Sequence, residues 1–275
     1  MGVVYTWDEI KNLRLPADGI HDDVAAKLRM ELPQVDGVCC ATFYGSYIHG
    51  DFNRLRSDMD CFVLFKAGMH GEPFASLRML TEWAAARNVR LAFTPCNTAF
   101  VQTLAHRVGP QFYRHLVYGF ENGGVICGDF SEYVFSTESS WSELISYLRA
   151  KYYNLTEMCT RYSVLSDAEK ACFLQKVIEA PMHVARGVVE RRLSRRIGPK
   201  VAVLNAYQAQ MPSDLFVLLV NLLQLDSEYS ACVQDALIVK ADELHYRNVL
   251  AQIFAQTEKT IAFIAQNLLL LDDEH

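Results

Sequence analysis

Gly45-Ser46-Tyr47-Ile48-His49-Gly50-Asp51-Phe52-Asn53-Arg54-Leu55-Arg56-Ser57-Asp58-Met59-Asp60-Cys61-Phe62-Val63-Leu64-Phe65 reads as a glycine-serine turn, a polar loop and an Asp-x-Asp pair that opens an apolar run. Residues 58–65 have the β-branched and aromatic content of a buried strand. So does the preceding run over residues 38–44, V-C-C-A-T-F-Y, which ends at the turn. Side chains alternate across a strand, so Asp58 and Asp60 point to one face, about 7 Å apart along the backbone. Two carboxylates aimed together repel unless a cation lies between them. Mg2+ takes oxygen ligands and is commonly held by one or two carboxylates plus substrate phosphates. Gly45 lets the backbone approach a ligand closely, and the Ser46 hydroxyl and the N–H groups after it can donate to phosphate oxygens. Asp58 and Asp60 are therefore candidate metal ligands, and Gly45 and Ser46 candidate phosphate contacts.

On either side of this segment the pattern alternates between helix and strand. Residues 22–32 are amphipathic, begin with two acids and stop before Pro33, which predicts a helix. Residues 73–87 predict another helix, with Pro73 in its first turn, and residues 89–93 a third strand followed by a loop around Pro95 and Asn97. Helical material then extends to about Phe120, and residues 125–128 form a brief strand closed by glycine. From about Ser139 glycine becomes scarce, and helical periodicity covers residues 141–162, 166–196, 213–223, 227–239 and 244–271. Ser166, followed by Asp167 and Glu169, is a capped helix start with early acids. The predicted class is α+β: a sheet flanked by helices over residues 1–138, then an all-helical bundle over residues 139–275.

With 275 residues, 51% of them hydrophobic, the chain can bury a sizeable core. A net charge of −6 argues against a protein whose main task is to hold a nucleic-acid backbone. The eight cysteines include no C-x-x-C pair, so reduced, buried thiols are expected rather than a disulfide framework or a zinc site. Residues 249–271 are apolar but interrupted by Gln252, Gln256, Glu258, Lys259 and Gln266, which predicts an amphipathic helix and no membrane span. No basic segment followed by an apolar run opens the sequence. A soluble, cytoplasmic protein is expected.

The order strand, Gly-Ser, polar loop, Asp-x-Asp entering a strand is similar to that of the DNA polymerase β-like nucleotidyltransferase superfamily, in particular its aminoglycoside and minimal nucleotidyltransferase branch. The motif occupies residues 45–65, and a helical domain after a sheet extends a weaker likeness over most of the chain. The resemblance implies a mixed sheet of the nucleotidyltransferase type and a helical, acceptor-binding domain. It implies transfer of an NMP from a Mg2+-bound nucleoside triphosphate to a hydroxyl of a small molecule or protein, with release of pyrophosphate. Asp58 and Asp60 would be the catalytic metal ligands, and Ser46 would hold the β- and γ-phosphates. Further candidate phosphate contacts are His49, Arg54 or Arg56 from the loop, and Lys151 in R-A-K-Y-Y (residues 149–153), because related enzymes reach back from the helical domain.

The chain departs from this pattern at two places. Many relatives carry arginine where this chain has His49. The family also carries a third acid, a metal ligand or general base, on the next strand; residues 89–94 read V-R-L-A-F-T and hold none. Arg90, Ala92 and Thr94 alternate onto one face there, and Glu121, Asp129 and Glu157 are candidates for an acid supplied from elsewhere. The alternative reading is therefore a catalytically degraded nucleotidyltransferase serving as a nucleotide-binding or regulatory, antitoxin-like module. Arg186, Arg191, Arg192, Arg195 and Arg196 form a basic run, expected as a solvent face, with RNA or an acidic partner as the functional alternative. His183 is expected to be structural. The acceptor, the nucleotide base and homodimer formation stay open.

Overall fold

A computed structural model describes residues 2–68, 72–101, 111–131, 133, 141–238 and 242–273. The chain forms two compact units, one of residues Leu15–Ser139 and one that joins Met1–Arg14 to Ser140–His275. The class is α+β, as the sequence predicts. The expected boundary at residues 138 and 139 lies outside the described residues.

In the first unit, β1 (Val38–Tyr44), β2 (Met59–Phe65), β3 (Leu91–Asn97) and β4 (Val125–Cys127) form one sheet in the order β3-β2-β1-β4. β1 is antiparallel to β2 and to β4, whereas β2 and β3 are parallel, so the sheet is mixed. A parallel pair needs a crossover, supplied by the helix Glu72–Ala85. The helix Ile20–Glu31 packs on that same face: Val24, Ala25 and Leu28 join Leu77, Leu80 and Ala84 over Ala41, Phe43, Met59, Cys61 and Val63. The helix Gln111–Glu121 covers the opposite face, where Phe112 and Leu116 meet Cys40, Phe62, Leu64 and Cys96. Burial on both faces explains why β2 reads as an almost unbroken apolar run. Period two then assigns Asp60 to the Phe62 and Leu64 face, the face under the helix Gln111–Glu121.

β3 runs four residues beyond its expected end, through Pro95 to Asn97. It is the edge strand, and Pro95 is exposed, so a residue without an N–H costs the ladder nothing on its open side. The expected helix at residues 22–32 starts earlier, at Ile20 behind the left-handed Gly19, and Pro33 continues it into a short 3-10 turn at Leu32–Gln34. Residues 102–110 of the expected helical stretch before Phe120 lie outside the described residues.

In the second unit the α-helices are Trp7–Asn12, Trp141–Thr160, Asp167–Arg192, Lys200–Gln210, Ser213–Ile238, Glu243–Ala255 and Thr257–Asp273 among the described residues. The helix Asp167–Arg192 is central and buries apolar residues around much of its circumference, from Phe173 and Leu174 to Val188 and Val189. It starts at the predicted cap: Ser166 Oγ accepts the Glu169 N–H, and the Glu169 carboxylate accepts the Ser166 N–H. The two helices expected over residues 213–223 and 227–239 are one, because Asp226 and Ser227 fit an intact ladder in which the Ser230 hydroxyl donates to the Asp226 carbonyl. Conversely, the single helix expected over residues 244–271 breaks at Gln256. Ser213–Ile238 is long and apolar enough to cross a bilayer; its inward stripe of Leu215, Leu219, Leu222 and Leu225 is buried in the unit, which is compatible with a soluble protein.

The sequence boundary that placed residues 1–14 with the sheet is corrected by their packing. The Tyr5 N–H donates to the Tyr229 hydroxyl at 2.7 Å, the Tyr246 hydroxyl donates to the Tyr5 carbonyl, and Trp7 lies 5.5 Å from the Tyr246 ring. Tyr229→Phe leaves the buried Tyr5 N–H unsatisfied. It is expected to cost about 1–3 kcal/mol in urea unfolding, and an unchanged midpoint would show that the segment contributes nothing to stability.

The basic run is also corrected. Arg186 is buried and donates to the carbonyls of Ile197 and Gly198, while the Glu190 carboxylate accepts the Ile197 N–H at 3.1 Å. Arg191 lies 4.6 Å over Trp141, and Arg192 donates to the Gln210 carbonyl. Arg186 thus staples the turn after its helix and Arg192 holds the last carbonyl of the helix Lys200–Gln210, because guanidinium forks satisfy the carbonyls a helix end leaves open, while Arg195 keeps the exposed position expected of it.

Candidate functional site

The turn and the acid pair of the sequence motif meet at one end of the sheet. Antiparallel pairing sets Tyr44 opposite Asp60, so the residue after Tyr44 lies against the Asp60 carboxylate. A β-carbon on Gly45 would sit 2.6 Å from Asp60 Oδ2. Gly45 has φ 71° and ψ −150°, a conformation that side-chain-bearing residues avoid, and it turns the chain into a four-residue helix, Ser46–His49. The half-buried Ser46 hydroxyl has no hydrogen-bond partner among the described residues.

Asp58 stands just ahead of β2, which begins one residue later than expected. Its loop is held by its own polar groups: Ser57 Oγ accepts the Asn53 N–H at 3.0 Å, and Asn53 Oδ1 accepts the Leu55 N–H at 3.0 Å. Asp58 Oδ1 receives the Arg90 Nε–H at 2.6 Å. The sequence singled out Arg90 only as one of three residues on that face; its ion pair with Asp58 was not read.

Tyr44 and Thr94 complete the surroundings. Their hydroxyls lie 2.8 Å apart, a bond from β1 to β3 that spans β2 on the Asp60 face. Burial pushes the Tyr44 phenol well above its ordinary range; the charge of Asp60 adds to this and the Thr94 hydrogen bond opposes it. Tyr44 is therefore a neutral donor or acceptor at any physiological pH.

Each of the remaining candidates has neighbours of its own. His49 is buried, its ring 5.1 Å from His115 and 4.7 Å from Tyr118, so it packs against the helix Gln111–Glu121. Arg54 binds Asp18 and the carbonyls of Pro16 and Ala17, which directs it away into the preceding loop. Arg56 is buried at 2% exposure. Lys151 belongs to the helical unit, 3.5 Å from His183 Nδ1 and 4.8 Å over the Tyr147 ring. Burial lowers its ammonium pKa, with the Glu179 charge opposing. His183 is thus part of an internal polar cluster, in line with its structural expectation.

None of the three acids considered as substitutes for the family's third carboxylate is built into the sheet. Glu121 is exposed at the end of its helix, Asp129 is exposed and accepts the Ser131 N–H, and exposed Glu157 pairs with Arg161 in the other unit. Among the described residues no group of three or more His, Cys, Asp or Glu side chains could hold a metal ion. Asp58 and Asp60 are the two carboxylates that could hold a Mg2+ ion, with phosphate oxygens as its other ligands. A pair of metals would need more anionic oxygen than these two side chains offer, and Arg90 already holds one of them. No protein-family model and no curated protein matches the chain.

Proposed function

We propose that the Gly45-Ser46 turn and Asp58/Asp60 form a Mg2+–nucleoside triphosphate site of the nucleotidyltransferase type. The chain would transfer an NMP to the hydroxyl of a small molecule or protein. The acceptor oxygen would bond to the α-phosphorus and lose its proton to solvent, the α–β bridging P–O bond would break, and pyrophosphate would leave; Asp58 and Asp60 would hold the Mg2+ whose charge offsets that of the phosphates. Mg2+ supplies charge neutralisation; the chain supplies two carboxylates to hold it and a glycine turn with an open serine hydroxyl for the phosphates. The observation that carries this reading is the contact of Gly45 with Asp60, which unites two motif halves separated by a polar loop. All eight cysteines are free, which supports a reducing, cytoplasmic setting.

Calorimetric titration with ATP, GTP, CTP and UTP in the presence of Mg2+ tests the site. Binding of at least one nucleotide is expected, dependent on Mg2+ and abolished in Asp58→Asn/Asp60→Asn. Failure of the wild type to bind any of them at millimolar concentration would remove the reading.

A second reading is a nucleotide-binding regulatory module without transfer, and the absence of an acid on β3 favours it. Proton removal from an acceptor then lacks an evident base. Pyrophosphate release in an acceptor screen separates the two readings: nucleotide binding with no release across hydroxylated acceptors supports the module.

A further inference from the structure

The parallel ladder pairs Met59 with Leu91 and Asp60 with Ala92, and the Met59 N–H bonds to the Arg90 carbonyl at 2.7 Å. This register brings Arg90 beside Asp58 at the mouth of the site. The two side chains meet at 2.6 Å while 42% and 31% exposed, so the pair is not there to neutralise a charge in the core. A guanidinium keeps its proton at any working pH, which makes Arg90 a permanent positive charge at the entry to β3.

We propose that Arg90 stands in for one metal ion, so that the site takes a single divalent cation with its nucleotide. This rests on the reading of Asp58 and Asp60 as the Mg2+–nucleotide site. The formal charges agree with it. Two carboxylates and a guanidinium around one dication leave one positive charge to face the triphosphate. A second dication against Asp58 would have to displace Arg90 or lie against it, and like charges at contact distance in a partly desolvated site repel strongly. Asp60, held against the Gly45 turn, is then the principal metal ligand, and Asp58 divides its oxygens between the metal and Arg90.

Electron paramagnetic resonance with Mn2+ in place of Mg2+ counts the ions directly. Protein in excess over a non-hydrolysable α,β-methylene nucleoside triphosphate is titrated with Mn2+. The wild type is expected to hold one Mn2+ per bound nucleotide, with a single-ion six-line spectrum. Arg90→Asp is expected to hold two and to show an exchange-coupled spectrum, while Arg90→Lys keeps one. Two coupled ions in the wild type, or a single ion in a folded Arg90→Asp, would overturn the inference and leave the nucleotide site standing. Absence of nucleotide-dependent Mn2+ binding in the wild type would overturn both. If Arg90→Asp does not fold, the wild-type and Arg90→Lys ion counts decide.

Discussion

Gly45→Ala is expected to abolish nucleotide binding and to destabilise the sheet unit by about 3 kcal/mol, from backbone strain and a steric clash together. The two contributions have separate origins. The backbone at φ 71° and ψ −150° strains any residue with a β-carbon. The added methyl would also fall 2.6 Å from Asp60 Oδ2, which forces the carboxylate off its position. The pair can be dissected with Asp60→Ala. Added to Gly45→Ala, this second change removes the clashing oxygen and should recover part of the lost stability while binding stays absent. Chemical denaturation of the four variants measures the coupling. Strictly additive losses would mean that Gly45 is needed for its backbone alone and that its closeness to Asp60 carries no energy.

Lys151→Met is expected to destabilise the helical unit by about 2 kcal/mol at pH 8 and by clearly less at pH 5, through the charge it leaves behind. Glu179 is the group left behind. Burial raises its carboxyl pKa above the ordinary 4.5; the Gln175 hydrogen bond and the Lys151 charge oppose the rise, and Asp226 adds to it. A raised carboxyl pKa favours the protonated folded form, so stability is complete below the ordinary value and falls as pH climbs through the folded one. Without Lys151 the folded value climbs further, and the loss above it deepens. Lys151→Met/Glu179→Leu should return close to wild-type stability, since apolar side chains of similar volume replace two partly buried charges. Equal losses at both pH values, or no recovery in the double variant, would sink this account.

Much of the sheet unit was legible because its determinants are local. Seven-residue runs with β-branched and aromatic residues, a Gly-Ser turn and an Asp-x-Asp entry can be read without knowing what packs where. The Ser166–Glu169 helix start was legible for the same reason: both halves of its cap lie within four residues. What escaped depends on partners distant in sequence. The Arg90–Asp58 pair follows from the register of a parallel crossover, and sequence alternation gives the face of Arg90 but not its neighbour. The motif gives the position of His49 but not its neighbours, His115 and Tyr118, which lie on a helix far along the chain. Helix ends failed similarly at Asp226 and Gln256, where polar residues within apolar stretches are equally compatible with a continuous or a broken ladder.

The division of the chain has a consequence for the order in which the protein is made. Met1–Arg14 completes the helical unit, but Tyr229 and Tyr246, which hold Tyr5, are synthesised only after the whole of Leu15–Ser139. On the ribosome the sheet unit can emerge and fold as a self-contained insertion while the segment ahead of it waits, its Tyr5 and Trp7 without their final neighbours. Truncated nascent chains ending near residue 200 should therefore carry a protease-resistant sheet unit and a cleavable leading segment. Resistance of that segment should appear only when Tyr246 has cleared the exit tunnel.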